Sequence, residues 1–175
     1  MTANNYVKSS ITDAQLKAQY ESTLAANKDA YTIASVRHIL IGLTDSEGKA
    51  RSKEQALVLA KDVKTKLNSG GDFTALAKQY SEDPGSKDNG GLYADADVSQ
   101  WVEGFKNATI SQTVGVVGDP VETEFGYHII KVESRSVKPL EAVKDSLRVT
   151  LEQAQYQQFT EKELPGLIEK IDLGQ

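Results

Sequence analysis

The sequence predicts an α+β fold in which a small antiparallel sheet is surrounded by helices. Two short runs rich in β-branched and apolar residues, 34–41 and 127–132, lie far apart in the chain. Between and around them, apolar residues recur at helical spacing after capping signals. No strand–helix–strand unit repeats along the chain, so the pattern favours an α+β fold over a parallel α/β fold.

Composition narrows the range of functions. The chain has 175 residues, 39% hydrophobic content and a net charge of −5, which suits one core with attached helices and disfavours binding to nucleic acid. The absence of cysteine excludes disulfides and thiolate chemistry. No apolar run approaches the roughly 18 residues of a membrane span, and residues 1–5 lack the basic-then-apolar pattern of a signal peptide.

The first half of the chain contains three predicted helices and one strand. Thr12 and Gln15 form a capping box that begins a helix ending near residue 27. The strand over 34–41 follows, with His38 on one of its faces. A second capping box at Ser52 and Gln55 begins another helix, which ends at the glycine pair 70–71. Asp72 then caps a third helix.

The second half begins with turn chemistry. Residues 81–91 carry two turn signals, and residues 101–108 are predicted to form a short helix. The turn at 124–126 joins two strands into a hairpin whose second strand is 127–132. After Pro139 a long helix shows near-heptad spacing, and Pro165 is expected to end or kink it before a short apolar segment that includes Leu167. We therefore expect three segments, 1–32, 33–135 and 136–175.

The two histidines, His38 and His128, each lie inside an apolar strand. Buried polar side chains need partners, and two strand histidines can satisfy one another by hydrogen bonding. A structural pair in the core explains the pattern most simply. A metal site would need a third ligand, which no motif supplies, and no nucleotide-binding or nucleophile-elbow motif is present.

Three sequence blocks resemble the parvulin-type peptidyl-prolyl cis/trans isomerases. They are VRHILI at 36–41, DFTALAKQYSEDPGSKDNGG at 72–91 and PVETEFGYHIIKV at 120–132. Each block alone is weak, but together they keep the order and approximate spacing of the family over about one hundred residues. The resemblance implies a parvulin-like fold over residues 33–135 and isomerisation of the peptide bond before proline, with no metal or cofactor.

The resemblance also implies roles for nine residues. The catalytic set is expected to be His38, Asp83, Thr123 and His128. The substrate-binding set that lines or rims the proline pocket is expected to be Tyr93, Gln100, Trp101, Phe105 and Phe125. Each residue has a plain structural alternative as well: Asp83 before Pro84 suits a turn, and Trp101 and Phe105 at helical spacing are typical of a core.

This chain departs from the patterns of the family in three places. The residues after Gly91 lack the common aspartate-leucine-glycine run, and Trp101 replaces the usual methionine, which is expected to reshape the pocket. The loop 42–51 also lacks the dense basic cluster of the phosphate-directed members of the family. We therefore do not expect specificity for phosphorylated residues before proline.

The flanking helices resemble those of extracytoplasmic bacterial foldases of the PrsA and SurA kind. This implies an extracytoplasmic protein whose partners are proline-containing unfolded or partly folded polypeptides, with neither nucleic acid binding nor membrane insertion by this part of the chain. Two alternatives remain: a weakly active or inactive parvulin fold that acts as a chaperone or binding module, and a structural role. In the latter, the near-heptad helix would pair two copies into a homodimer.

Overall fold

The computed structural model describes residues 11–163 and 165, which divide into two compact units. One unit is Tyr31–Val137, and the other contains the described parts of the chain on both sides of it. The described segments form an α+β structure, as predicted. The predicted apolar segment after Pro165 lies outside the described residues.

The central unit is built on a four-stranded sheet in the order β2-β1-β4-β3, with all neighbours antiparallel. The strands are β1 (Thr32–Gly42), β2 (Leu92–Asp97), β3 (Val121–Thr123) and β4 (Gly126–Val137). β3 and β4 form the predicted hairpin, closed by residues 124–125. β2 was not predicted, because its alanines and aspartates are depleted in strands; here it is an edge strand held by pairing to β1.

Helices α2 (Lys53–Asn68) and α3 (Phe73–Tyr80) cover one face of this sheet. The predicted capping box at Ser52 is present, and Asp72 caps α3 through the Ala75 amide. Ala60 and Val63 of α2 pack with Phe73 of α3 and with the strand residues of this face. The apolar residues that recur at helical spacing in the two helices therefore form the face of each helix that packs on the sheet.

Helix α4 (Glu103–Ser111) covers the other face, preceded by short 3₁₀ turns at Lys87–Asn89 and Val98–Gln100. The helix predicted over 101–108 thus begins two residues later, and Trp101 lies just before it. Phe105 of α4 packs against Val36 and Ile130. His38 and His128 belong to the same side of their strands as Val36 and Ile130, because side chains alternate along a strand.

The second unit contains α1 (Asp13–Ala26) and α5 (Leu140–Gln158), followed by a π-helical turn at Phe159–Glu163. The predicted capping box at Thr12 is present. The two helices pack together and bury Leu16, Val143 and Leu147. The near-heptad stripe of α5 is thus used, at least in part, within the same chain. Among the described residues, no helix is both long and apolar enough to cross a bilayer.

Candidate active site

The two histidines meet on neighbouring strands of the sheet. His38 on β1 lies opposite Ile130, and His128 on β4 lies opposite Leu40. The two rings are therefore diagonal neighbours on one face, and their Nδ1 atoms are 3.2 Å apart. Both side chains are buried, with 3% and 5% of their surface exposed, so each ring nitrogen needs a hydrogen-bond partner.

A polar residue at each end extends this pair into a chain of four. His38 Nε2 lies 3.0 Å from Asp83 Oδ2, and Thr123 Oγ1 lies 2.9 Å from His128 Nε2. Thr123 Oγ1 also accepts the Phe125 amide proton at 3.2 Å. The side chains of β3, β4, β1 and the loop before β2 are thus joined in one continuous network.

The charge of Asp83 fixes the direction of these hydrogen bonds. Burial alone would raise the pKa of Asp83, but the hydrogen bonds from His38 and Ser86 outweigh it and hold the pKa well below its usual range. An ionised carboxylate only accepts, so His38 Nε2 donates to it. With both rings neutral, His128 Nδ1 then donates to His38 Nδ1, and Thr123 donates to His128 Nε2.

His128 is held in its neutral form. Burial, assisted by the neighbouring His38 and partly opposed by the Asp83 charge, lowers the pKa of His128 to about 3. At neutral pH His128 is therefore a hydrogen-bonding group without charge. The negative charge of the network is carried by Asp83.

The loop 81–91 that carries Asp83 is anchored to β1 by its glycine pair. The Gly91 carbonyl accepts the His38 amide proton at 2.9 Å, and the Gly91 amide donates to the Ser86 carbonyl at 2.8 Å. Gly91 has a φ of +78°, and a Cβ there would lie 2.2 Å from the His38 carbonyl oxygen. Only glycine permits this close approach, which explains the Gly-Gly pair in the sequence.

A second anchor lies at the start of the same loop. Glu82 forms a two-point ion pair with Arg51, at 2.7 and 3.0 Å, and accepts the Gly42 amide proton at 2.7 Å. Arg51 also donates to the Gly42 carbonyl at 2.7 Å. The end of β1 and the start of the loop are thus locked together beside Asp83.

Three members of the polar chain, His38, Asp83 and His128, line a cavity of about 770 Å³. Phe105 lines it as well, with its ring edge-to-face against His38 at 5.1 Å and against His128 at 5.2 Å. Trp101 packs edge-to-face on Phe105 at 4.9 Å. The cavity wall therefore combines aromatic side chains with a few polar groups, which is the usual character of a ligand site.

Eight of the nine residues predicted for the site line this cavity: His38, Asp83, Tyr93, Gln100, Trp101, Phe105, Phe125 and His128. Thr123 is the exception, and it contacts His128 instead. Phe125 is 54% exposed at the rim. The structure brings these residues together around one cavity. Their individual roles stay predictions.

Ser86 and Glu82 belong to the site but were not predicted. Ser86 is buried, and its hydroxyl lies 2.9 Å from His38 Nε2 and bonds Asp83. In the sequence it is indistinguishable from any turn serine, since serine is favoured in turns for local reasons. Glu82 gave no signal either, because its partner Arg51 is distant in the sequence.

The charge on the cavity wall is negative. Three carboxylates, Glu82, Asp83 and Glu124, are among its lining residues. No lysine or arginine is found among the described residues that line it. Glu82, one of these three, is bound by the guanidinium of Arg51.

The sheet, its two helical layers and the paired histidines define a parvulin-type domain. Residues 20–136 match the sequence model of the PPIC-type PPIase domain, and the chain belongs to that family. Foldase protein PrsA 4 of Bacillus cereus is 36% identical over 170 residues, which cover 95% of this chain and 52% of that protein. Chaperone SurA of Chromohalobacter salexigens is 33% identical over 84% of this chain and 32% of its own length.

Solved structures give the same result. The crystal structure of peptidylprolyl isomerase PrsA from Bacillus anthracis matches with a TM-score of 0.56 and 29% identity, over 97% of this chain and 69% of that one. The PrsA structure from Bacillus cereus matches with a TM-score of 0.55 and 35% identity, over 90% and 52%. The chain spans about half of the length of the Bacillus cereus PrsA relatives.

Proposed function

We propose that this chain is a peptidyl-prolyl cis/trans isomerase that assists the folding of extracytoplasmic proteins. The observation that carries the proposal is a four-residue polar network, three of whose members line an aromatic cavity. The network is joined end to end by hydrogen bonds of 2.9–3.2 Å and consists of Thr123, His128, His38 and Asp83. Phe105 contacts both of its histidines. Membership of the PPIC-type family supports the same activity.

The reaction is rotation about the bond before proline, against a barrier of about 18–20 kcal/mol that arises from amide resonance. No covalent bond is made or broken, so the site needs to bind the twisted amide better than either planar form. Trp101 and Phe105 offer an apolar surface for the proline ring. Transfer of the amide into this drier site disfavours its planar, charge-separated form relative to the twisted one.

In this scheme Asp83 and the histidines set the polarity around the rotating carbonyl. Asp83 contributes a fixed negative charge, and His128 remains neutral because burial lowers its pKa to about 3. A nucleophilic role for Asp83 is not required, since its Oδ2 atom is already engaged by hydrogen bonds. Thr123 holds the far end of the network by donating to His128.

The substrates we propose are proline-containing segments of unfolded or partly folded polypeptides without a phosphate requirement. Asp83 and Glu124 on the cavity wall repel a phosphoryl group, which carries close to two negative charges at neutral pH, whereas the charge of Glu82 is offset by Arg51. The described lining residues offer no free cation to offset this. An exposed Phe125 at the rim gives an apolar contact for the segment beside the proline.

The proposed location and client binding rest on the resemblance to foldases. An extracytoplasmic location, and client binding by the helices on both sides of residues 33–135, fit relatives named foldase PrsA and chaperone SurA. Pairing of two copies through α5 stays a prediction. Sedimentation across a range of concentrations tests it, and a strict monomer contradicts it.

NMR exchange spectroscopy on short proline peptides, with different residues before proline, tests the activity. We expect the intact protein to accelerate cis/trans exchange, and Asp83→Ala to lose most of this acceleration while remaining folded. Asp119→Ala is the matched control, because this carboxylate is 92% exposed and pairs only with Lys64 among the contacts described here. A folded protein that accelerates exchange in no peptide contradicts the proposed activity. Acceleration seen only with phosphopeptides contradicts the proposed substrate class.

A second candidate is a parvulin fold that binds clients without turnover. The observation in its favour is that the Tyr93 hydroxyl donates a hydrogen bond to the Asp83 carboxylate at 3.0 Å. Tyr93 lies in the segment after Gly91, which departs from the family pattern. Peptide binding at the cavity, seen as chemical-shift changes at Trp101 and Phe105 without accelerated exchange, would support this candidate over the first.

A further inference from the structure

One oxygen of Asp83 accepts from three side chains. Oδ2 lies 3.0 Å from His38 Nε2 and 3.0 Å from the Tyr93 hydroxyl, and it also bonds the Ser86 hydroxyl. His38 belongs to the site network, but Tyr93 and Ser86 approach Asp83 from outside it. A carboxylate held at one oxygen from three directions has a fixed orientation.

Tyr93 is built into this position by its surroundings. Its ring stacks on His38 with 5.4 Å between centroids and an interplanar angle of 23°, so the phenol reaches over the imidazole to the carboxylate. The loop makes room for the hydroxyl at Gly85, where a Cβ would lie 2.6 Å from it. Any side chain at position 85 would therefore displace the phenol or the loop.

Ser86 contacts Asp83 from inside the loop. Its side chain is 1% exposed, and its hydroxyl lies between Asp83 Oδ2 and His38 Nε2, at 2.9 Å from the latter. Because Asp83 is an acceptor, Ser86 donates to it, and the serine oxygen can accept only a share of the single proton on His38 Nε2, which Asp83 also accepts. Ser86, Asp83 and His38 thus form a closed group of three contacts that holds the carboxylate beside the ring.

We propose that Tyr93 and Ser86 are positioning residues, which fix the Asp83 carboxylate in the orientation that accepts the His38 hydrogen bond. Neither group is required to touch the peptide or exchange a proton with it. The inference rests on the proposed isomerase activity for its kinetic consequence, but its structural consequence at Asp83 is measurable without any substrate.

The charged and titratable groups around Asp83 are consistent with this assignment. His38 and Tyr93 are the titratable groups bonded to it, and His128 follows behind His38. The adjacent Glu82 faces Arg51. Burial and the charge of Asp83 together raise the pKa of Tyr93 to about 12, so the phenol keeps its donor proton over the whole working range of pH.

The test uses Tyr93→Phe, which keeps the ring on His38 and removes only the hydroxyl. Tyr127→Phe is the matched control, because Tyr127 donates to Glu122 at 3.2 Å on the opposite side of the sheet. The Asp83 carboxyl ¹³C resonance and the His38 Nε2–H resonance are recorded by NMR at pH 7 in each protein. We expect Tyr93→Phe to shift both resonances, since Asp83 loses one charge-assisted hydrogen bond, and Tyr127→Phe to leave them unchanged.

Steady-state kinetics with one proline peptide supplies the second readout. We expect kcat to fall about three- to tenfold in Tyr93→Phe with KM nearly constant, and to fall further in the Ser86→Ala/Tyr93→Phe double variant. Unchanged Asp83 and His38 resonances in folded Tyr93→Phe overturn the inference, as does a loss confined to KM. If no protein accelerates exchange, the proposed function fails, while the NMR resonances at pH 7 still decide the positioning role.

Discussion

At the scale of residues, the site is a set of polar side chains that satisfy one another by hydrogen bonding, and its two histidines lie inside apolar strands. His38 and His128 were identifiable in the sequence because polar residues inside apolar strands demand partners. Ser86 was not, because its role depends on a contact with His38, 48 residues away in the chain. A functional residue can therefore be predicted where its type is unusual for the local sequence, as for a histidine in an apolar strand. It cannot be predicted where its type is usual, as for a serine in a turn.

The buried state of His128 predicts an acid-sensitive protein. Its pKa is about 3 in the folded state and 6.5 when exposed, so between these values the unfolded chain binds a proton that the native state does not. Stability is therefore complete above about pH 6.5 and lost as the pH falls towards 3, with a loss of about 2 kcal/mol between pH 7 and pH 5. Urea unfolding at both pH values measures this loss.

NMR titration of the His128 ring assigns the effect to this residue. We expect no protonation of His128 in the native protein above about pH 4. Asp83 acts in the same direction but only at lower pH, because its pKa is depressed from 3.8 and its contribution is lost below that value. A native His128 that titrates near 6.5 would contradict the argument.

At the scale of elements, the sequence predicted the structure wherever local signals and tertiary packing agree. The capping boxes at Thr12 and Ser52, the β3–β4 hairpin and the helix after Pro139 are all present. The edge strand β2 was missed because its residues have low strand propensity and its order comes from pairing with β1. Such a strand is specified by its neighbour rather than by its own residues.

Gly91 in the turn before β2 and Gly70 after α2 allow a comparison of two glycine substitutions. Gly91 (φ +78°) and Gly70 (φ +92°) both have left-handed backbones, but a Cβ at Gly91 would collide with the His38 carbonyl oxygen whereas the space around Gly70 is open. We expect Gly70→Ala to cost about 1 kcal/mol of stability and Gly91→Ala to cost more than about 3 kcal/mol. Chemical denaturation of both variants measures the difference, and equal costs would show that the loop can move away from β1.

At the scale of the whole molecule, the cavity, the network and both hydrophobic cores of the sheet lie within residues 31–137. The helices α1 and α5 form their own unit, tied by the ion pair of Lys144 with Asp13 at 3.1 Å and by the bond from Arg148 to the Ile11 carbonyl at 3.1 Å. The order of predicted elements indicated helical segments on both sides of the central unit, but no linker composition marks either boundary. The packing of α1 on α5 joins segments that are far apart in the sequence, so no local sequence pattern predicts it.

This division predicts that the two proposed activities are separable. A fragment of residues 31–137 contains a complete core, so we expect it to unfold cooperatively and to accelerate peptide exchange within about a factor of two of the full chain. Suppression of aggregation of an unfolded client is expected from the full chain and not from the fragment, because client binding is assigned to the flanking helices. The fragment carrying Asp83→Ala is the control for the exchange measurement. An unfolded or inactive fragment would show that α1 and α5 are required by the central unit, and a fragment that suppresses aggregation as well as the full chain would move client binding to the cavity and its rim at Phe125.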